Sequence, residues 1–351
     1  GVVPATLLSA TQLLCLSPPG GLDDVGRAVD GGEAAAVALT LNEDHGAYIA
    51  TDAVFVYENV TGRVDATLPV AGPSSGGSLL NVSGGGFADM GQPLCRFGSQ
   101  EYVTNATVVS PELMQCRTPA TSGPGLLASV PADGQREWVR VSLNGQQYLR
   151  SGASFVFYEQ KLVRVCALVP QGGQLAGGTQ VVVLGTGFAD HAVHCLFSTQ
   201  LVEARLLNAS ALRCTAPFRA SAVVQAVEVT LNNEPAVNGE PALHSVTSDG
   251  VEYTFYDPAD VQVTGVFPLG GPTGGGTLVT LTGAGFADRG GVFCRFGGSK
   301  EAAVPATLQS STQLLCSSPE LPASDAPIEE PPTFRHVHAG AACCTDGGPW
   351  L

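Results

Sequence analysis

The chain has 351 residues, 13% charged and 44% hydrophobic, with too few charges and too much apolar content for a disordered segment. Its net charge of −15, with Lys161 and Lys300 as the only lysines, repels phosphate and argues against nucleic acid and anionic membranes as partners. No apolar run reaches the roughly 18 residues of a bilayer span, so no membrane insertion is predicted.

The first residue is Gly1 and no signal-peptide pattern follows it. The chain therefore reads as a processed form or a window of a longer protein. Residues 1–59 open with VPATLLSATQLLCLSP, followed by strand-like runs at Val37–Asp44 and Ala53–Glu58. Residues 60–159 carry SLLNVS, then GGGFAD at Gly84–Asp89, then Cys95 and Cys116. They close with WVRVSLNG at Trp138–Gly145 and SFVFYE at Ser154–Glu159. Residues 160–258 repeat the order: TQVVVL, GTGFAD at Gly185–Asp190, Cys195 and Cys214, then runs at Val227–Asn233 and Val251–Asp257. Residues 259–320 carry TLVTLT, GAGFAD at Gly283–Asp288, Cys294 and Cys316, and no recognisable closing strands. Residues 321–351 are a Pro- and acid-rich stretch and a cysteine-containing tail.

The three glycine motifs start 101 and 98 residues apart, which predicts tandem units of about that length. Short alternating runs separated by Gly, Pro, Ser and Asn, with no sustained helical period, predict an all-β chain of tandem β-sandwiches forming a rod. Residues 3–18 match residues 304–319 at 13 of 16 positions. The layout is thus a back half, two whole units, a front half and a tail.

The third unit carries the clearest family signal: VTGVFPLGGPTGGGTLVTLTGAGFADRGGVFCRFGG. An opening strand ending in Pro, then GGT-strand-GxGF, then Cys-x-Phe-Gly, then a second Cys near Pro, resembles the IPT/TIG family. The resemblance covers roughly residues 1–320 and implies an immunoglobulin-like β-sandwich with no activity or cofactor of its own. A GxGF loop can suggest a phosphate cradle, but such a loop must open a helix. Here strands flank it. The glycines are instead expected to supply positive φ at a turn, and Phe87, Phe188 and Phe286 to plug the cores.

One cysteine pair recurs per unit: Cys95–Cys116, Cys195–Cys214 and Cys294–Cys316, at intervals of 21, 19 and 22 residues. This recurrence favours disulfides over metal ligands, and so an oxidising, extracellular or cell-surface compartment. Cys15, Cys166, Cys343 and Cys344 are left over and are candidates for intermolecular disulfides, with buried free thiols as the alternative. Four N-glycosylation sequons, at Asn59, Asn81, Asn105 and Asn208, point to the same compartment and to covalent glycans. Asn105 reads as part of a turn-like stretch and Asn81 as part of a strand.

His191, His194 and Cys195 suggest a metal site, but Cys195 already belongs to a recurring cysteine pair. His336, His338, Cys343 and Cys344 fit no common zinc spacing. Glu58, Glu159, Asp257 and Asp260 at the unit junctions are too sparse for calcium. No catalytic motif occurs, and paired acids fall in turns or the tail. The chain is therefore expected to be a non-enzymatic structural glycoprotein. Its incomplete ends suggest copies joined head to tail into a surface filament. The alternative is a fragment of a longer receptor or adhesin ectodomain that binds protein or glycan ligands. Both are non-catalytic and both make the chain cell-adhesion-like.

Overall fold

The computed structural model describes residues 3–17, 33–41, 48–57, 62–98, 102–121, 134–232, 243–297 and 303–320. Among them the chain is built of strands joined by turns, with short 3-10 turns at Gln160–Leu162, Leu243–Ser245 and Pro258–Asp260. Strands form because Val, Leu, Phe and Thr alternate with polar residues, which gives each sheet one buried face. In Leu94–Phe97, for example, Cys95 and Phe97 are fully buried while Leu94 and Arg96 are half-buried.

The first complete unit is a ladder that rolls on itself. Arg63–Leu68, Leu79–Gly85, Leu113–Arg117 and Val103–Ser110 lie side by side. The ladder continues through Leu94–Phe97, Gln135–Ser142 and Ser154–Tyr158 to the short strand Ala71–Pro73. The second unit repeats it, from Arg164–Val169 to Gly172–Gln174. Each core holds interlocked aromatic rings. Phe97, Phe155 and Phe157 meet edge to face in the first unit. Phe197, Tyr253 and Phe255 do so in the second. This is the all-β tandem sandwich that the sequence predicts.

The strands differ from the predicted runs at their starts. The run expected from Trp138 begins at Gln135, and that expected from Val227 begins at Val223. The physical reason is a change of partner. Gln135–Trp138 bond to the last strand of the unit, whereas Val139–Ser142 bond to Leu94–Phe97. One strand thus passes from one face of the sandwich to the other, and only its second half alternates strongly enough to read. Val223–Thr230 divides in the same way. In the first two units the chain also changes sheet after its first strand, past the cis bonds Leu68–Pro69 and Val169–Pro170; the third unit has the matching cis bond at Phe267–Pro268.

Among the described residues the third unit shows a five-stranded sheet, from Gln262–Phe267 to Val292–Arg295. Val279, Cys294 and Cys316 form its buried cluster. Phe296 is only half-buried, while its counterparts Phe97 and Phe197 are fully buried under closing strands. Near the N-terminus, Ala5–Ser9 pairs with Gln12–Cys15 in the same register as Ala303–Ser310 with Gln313–Ser317, offset by 301 residues. The closing strands there run Glu33–Leu39 and Ile49–Tyr57, each starting four residues before the expected position.

Candidate functional site

The glycine motif is a structural device. Its last glycine adopts a left-handed backbone, with φ of 72° at Gly86, 71° at Gly187 and 75° at Gly285. Its first glycine lies against the preceding strand, where a Cβ at Gly84, Gly185 or Gly283 would strike a backbone carbonyl and the motif's own phenyl ring. Phe87, Phe188 and Phe286 are buried beneath it. The motif's aspartate then closes the turn. Asp89 Oδ1 accepts from the Gly91 amide at 2.9 Å, and Asp288 Oδ1 accepts from Gly290 and Gly291 at 3.0 and 2.9 Å. Those two amides hold the Asp288 carboxyl below the ordinary carboxylate value.

In the second and third units the residue after Phe-Ala-Asp lies on the unit before it, whereas Met90 packs on the core of its own unit. His191 stacks on Tyr158 of the first unit, with ring centroids 6.4 Å apart. Arg289 places its guanidinium 5.2 Å from the centre of the Tyr256 ring of the second unit. Both tyrosines end the last strand of their unit. The first of these junctions is continuous with a core: Ala71, Val156 and Tyr158 belong to the same buried cluster as Val165 and Leu231. Buried Asn232 Nδ2 donates to the Ala71 carbonyl at 3.0 Å, and His244 Nε2 lies 3.2 Å from Ser78 Oγ. The sequence offers His191, with His194 and Cys195, only as a metal reading that the Cys195 disulfide removes, and it gives no junction role to any of these residues. The only signal was a position after Phe-Ala-Asp that varies as Met90, His191 and Arg289 while the motif stays fixed.

Disulfides join Cys95 to Cys116, Cys195 to Cys214 and Cys294 to Cys316, with Cα atoms 6.4, 6.4 and 6.3 Å apart. Each lies in the core of its unit. Cys15 is exposed and carries a free thiol. Cys166 is disulfide-bonded, so the alternative of a buried free thiol does not hold for it. Cys343, Cys344, His336, His338, Glu58 and Asn59 lie outside the described residues.

Of the other sequons, Asn105 corrects the turn-like reading. It sits within the strand Val103–Ser110, exposed. Strand alternation places an exposed polar residue there as readily as a turn does. Asn81 is half-buried in Leu79–Gly85, where its Oδ1 accepts from Gln115 Nε2 at 2.8 Å. Gln115 is registered with both Asn81 and Thr107, two residues from Asn105, so both sequon asparagines share one sheet face. Asn208 is exposed, and its Oδ1 accepts from the Ser210 amide at 2.8 Å.

The junction acids have structural partners. Ser74 Oγ donates to Glu159 at 3.2 Å, and Asp257 caps the Pro258–Asp260 turn through the Ala259 amide. Among the described residues no group of three His, Cys, Asp or Glu side chains is placed to hold a metal. No described helix is long and apolar enough to cross a membrane.

The repeated motif and sandwich match the model of the IPT/TIG domain at residues 63–157, 164–254 and 262–330. The chain belongs to the IPT/TIG domain family. Mouse fibrocystin-L is 24% identical over 259 residues, which are 73% of this chain and 5% of that protein. The full extracellular region of plexin A4, domains 1 to 10, is 17% identical with a TM-score of 0.39, over 76% of this chain and 21% of that one. A second plexin A4 structure, with domains 1 to 8, is 15% identical with a TM-score of 0.32, over 74% and 31%. The IPT/TIG chain described here thus spans a small part of each of these relatives.

Proposed function

We propose that this chain is a non-enzymatic, extracellular segment of a receptor-like IPT/TIG ectodomain. The observation that carries the reading is one core disulfide at the same place in each of three successive units. Such bonds form and persist where the compartment is oxidising. Exposed sequons at Asn105 and Asn208 add covalent glycans to the reading. The units supply faces held in fixed register by the junctions, which suits recognition of a protein or glycan ligand rather than catalysis. Biotinylation of intact source cells with an impermeant reagent tests the location. Recovery of the chain, with a mass that falls on glycosidase digestion, is the expected result. Recovery only after lysis, with reduced cysteines, overturns it.

The head-to-tail filament is a second reading. Its support is the half-buried Phe296 and the outer edge of Val292–Arg295, which has no strand beside it among the described residues. An unpaired edge accepts a strand from another chain. The family membership speaks for no assembly. Negative-stain microscopy of unreduced protein decides it: regular filaments favour the polymer, and isolated particles remove it.

A further inference from the structure

The second unit carries a surface that its neighbours lack. Gln180–Thr186, Ala211–Thr215 and Gln200–Asn208 lie side by side. Their register sets Arg213 opposite both Val182 and Arg205. Alternation turns Val181, Leu212 and Cys214 into the core and leaves Arg205 and Arg213 on the outer face. Like charges directly across a strand pair repel. Neither arginine is relieved of this by an ion pair, since those among the described residues are Arg63–Asp65 and Arg164–Asp249.

The two arginines line an open groove of about 650 Å³, together with Gln180, Gln200, Glu203 and Phe218. Phe218 is 67% exposed. Its turn is braced by one side chain. Arg219 Nη1 donates to the Phe218 carbonyl at 3.0 Å and to Gln200 Oε1 at 2.7 Å, and Nη2 donates to the Phe197 carbonyl at 3.0 Å. The Arg219 amide is bound to the Leu175 carbonyl at 2.9 Å. The phenyl ring is thus held outward by a fixed backbone rather than hanging from a loose loop. In the first unit these positions are Ala120, Gln115 and Thr107. In the third they are Glu320, Leu315 and Thr307. Aromatic ring and arginine pair therefore occur together in the second unit alone.

We propose that this groove binds a saccharide bearing a carboxylate, of the sialic or uronic acid type. The arginine pair takes the carboxylate by charge-assisted hydrogen bonds, which relieves the cross-strand repulsion. The ring gives an apolar face for the C–H side of a pyranose. Gln180, Gln200 and Glu203 offer amide and carboxylate groups for hydroxyls. A net charge of −15 opposes a polyanion, so a singly charged sugar suits the groove better than a sulfated polymer. This site deepens the ectodomain reading and rests on it.

The test titrates the full chain, by calorimetry and by amide chemical shifts, with 3′-sialyllactose and with a hyaluronan tetrasaccharide. Lactose and a glutamate hexapeptide are the controls. Saturable binding of one acid saccharide is expected, with lactose at least about tenfold weaker. Which acid sugar binds tells the sialic from the uronic source. Arg213→Gln, Arg205→Gln and Phe218→Ala should each weaken binding about fivefold or more, while Arg117→Gln in the first unit leaves it unchanged. Circular dichroism melts identify any variant that fails to fold, and shift perturbations along Gln200–Asn208 and Ala211–Thr215 place the site in the unaltered chain. No binding of either acid sugar, equal binding of lactose, tighter binding of the peptide, or shifts elsewhere overturns the proposal. Surface-labelled protein that binds no acid sugar removes this site alone. Sugar binding by protein that is never surface-labelled removes the extracellular reading alone.

Discussion

At Gly187 and Gly178 the backbone is left-handed, with φ of 71° and 83°, but their surroundings differ. A Cβ at Gly178 meets nothing within 4 Å, whereas one at Gly187 runs into the Leu162–Val163 backbone. Gly178→Ala should therefore cost the conformational strain alone, about 1–2 kcal/mol, and Gly187→Ala more than that. Hydrogen exchange of peptides from the second unit measures both; equal costs would show that the Leu162 contact yields. Asp288 gives a pH prediction. Its folded-state pKa lies below its unfolded one because the Gly290 and Gly291 amides stabilise the carboxylate. The stability it contributes is present above the unfolded value and is lost as pH falls through the folded one. Carbon-detected titration should show Asp288 ionising below a free aspartate, and Asp288→Asn should remove that step. A midpoint at the free value contradicts the turn geometry.

At the scale of elements, the cystine and the strand that changes sheet do different things. The Cys195–Cys214 bond closes a separation of 19 residues, so replacing both by Ala should lower stability by about 3 kcal/mol. Denaturant unfolding of the full chain followed by second-unit exchange reads this; an unchanged unit would place the stability in packing alone. These cysteines were visible in the sequence because a covalent pair must recur with its fold. Gln135–Trp138 was not, because a strand segment that bonds a different neighbour has no new residue pattern to announce it. Asn105 suggests a turn for a related reason: Asn favours turns on average, yet an exposed strand position accepts it. The junction was least legible. Arg289 faces Tyr256 only because the two units meet there, and contacts between units leave no period in one chain. A double-mutant cycle of Tyr256→Ala with Arg289→Ala should give a coupling of about 0.5–2 kcal/mol to third-unit stability. Additive costs would make the ring and the guanidinium mere neighbours.

Across the whole molecule, stability should follow how fully each sandwich closes. The second unit joins eight strands around a core that also takes in Ala71, Val156 and Tyr158 of the first. Among the described residues the third shows a five-stranded sheet over Val279, Cys294 and Cys316. All three share the glycine turn and the disulfide, so those devices cannot rank them. Buried apolar area can, because it is the main favourable term in folding. Counterpart residues make the comparison direct: Phe197 is sealed beneath closing strands, and Phe296 is half-exposed. Amides of Leu278–Ala284 and Gln313–Ser317 should therefore exchange faster than those of Gln180–Thr186 and Ala211–Thr215, although the four strands are paired alike. If strands from a second copy complete the third unit, its amides should become protected as concentration rises, and the ranking should vanish. A ranking that persists at every concentration ties the third unit's low protection to its own small core and removes assembly as the means of closing it.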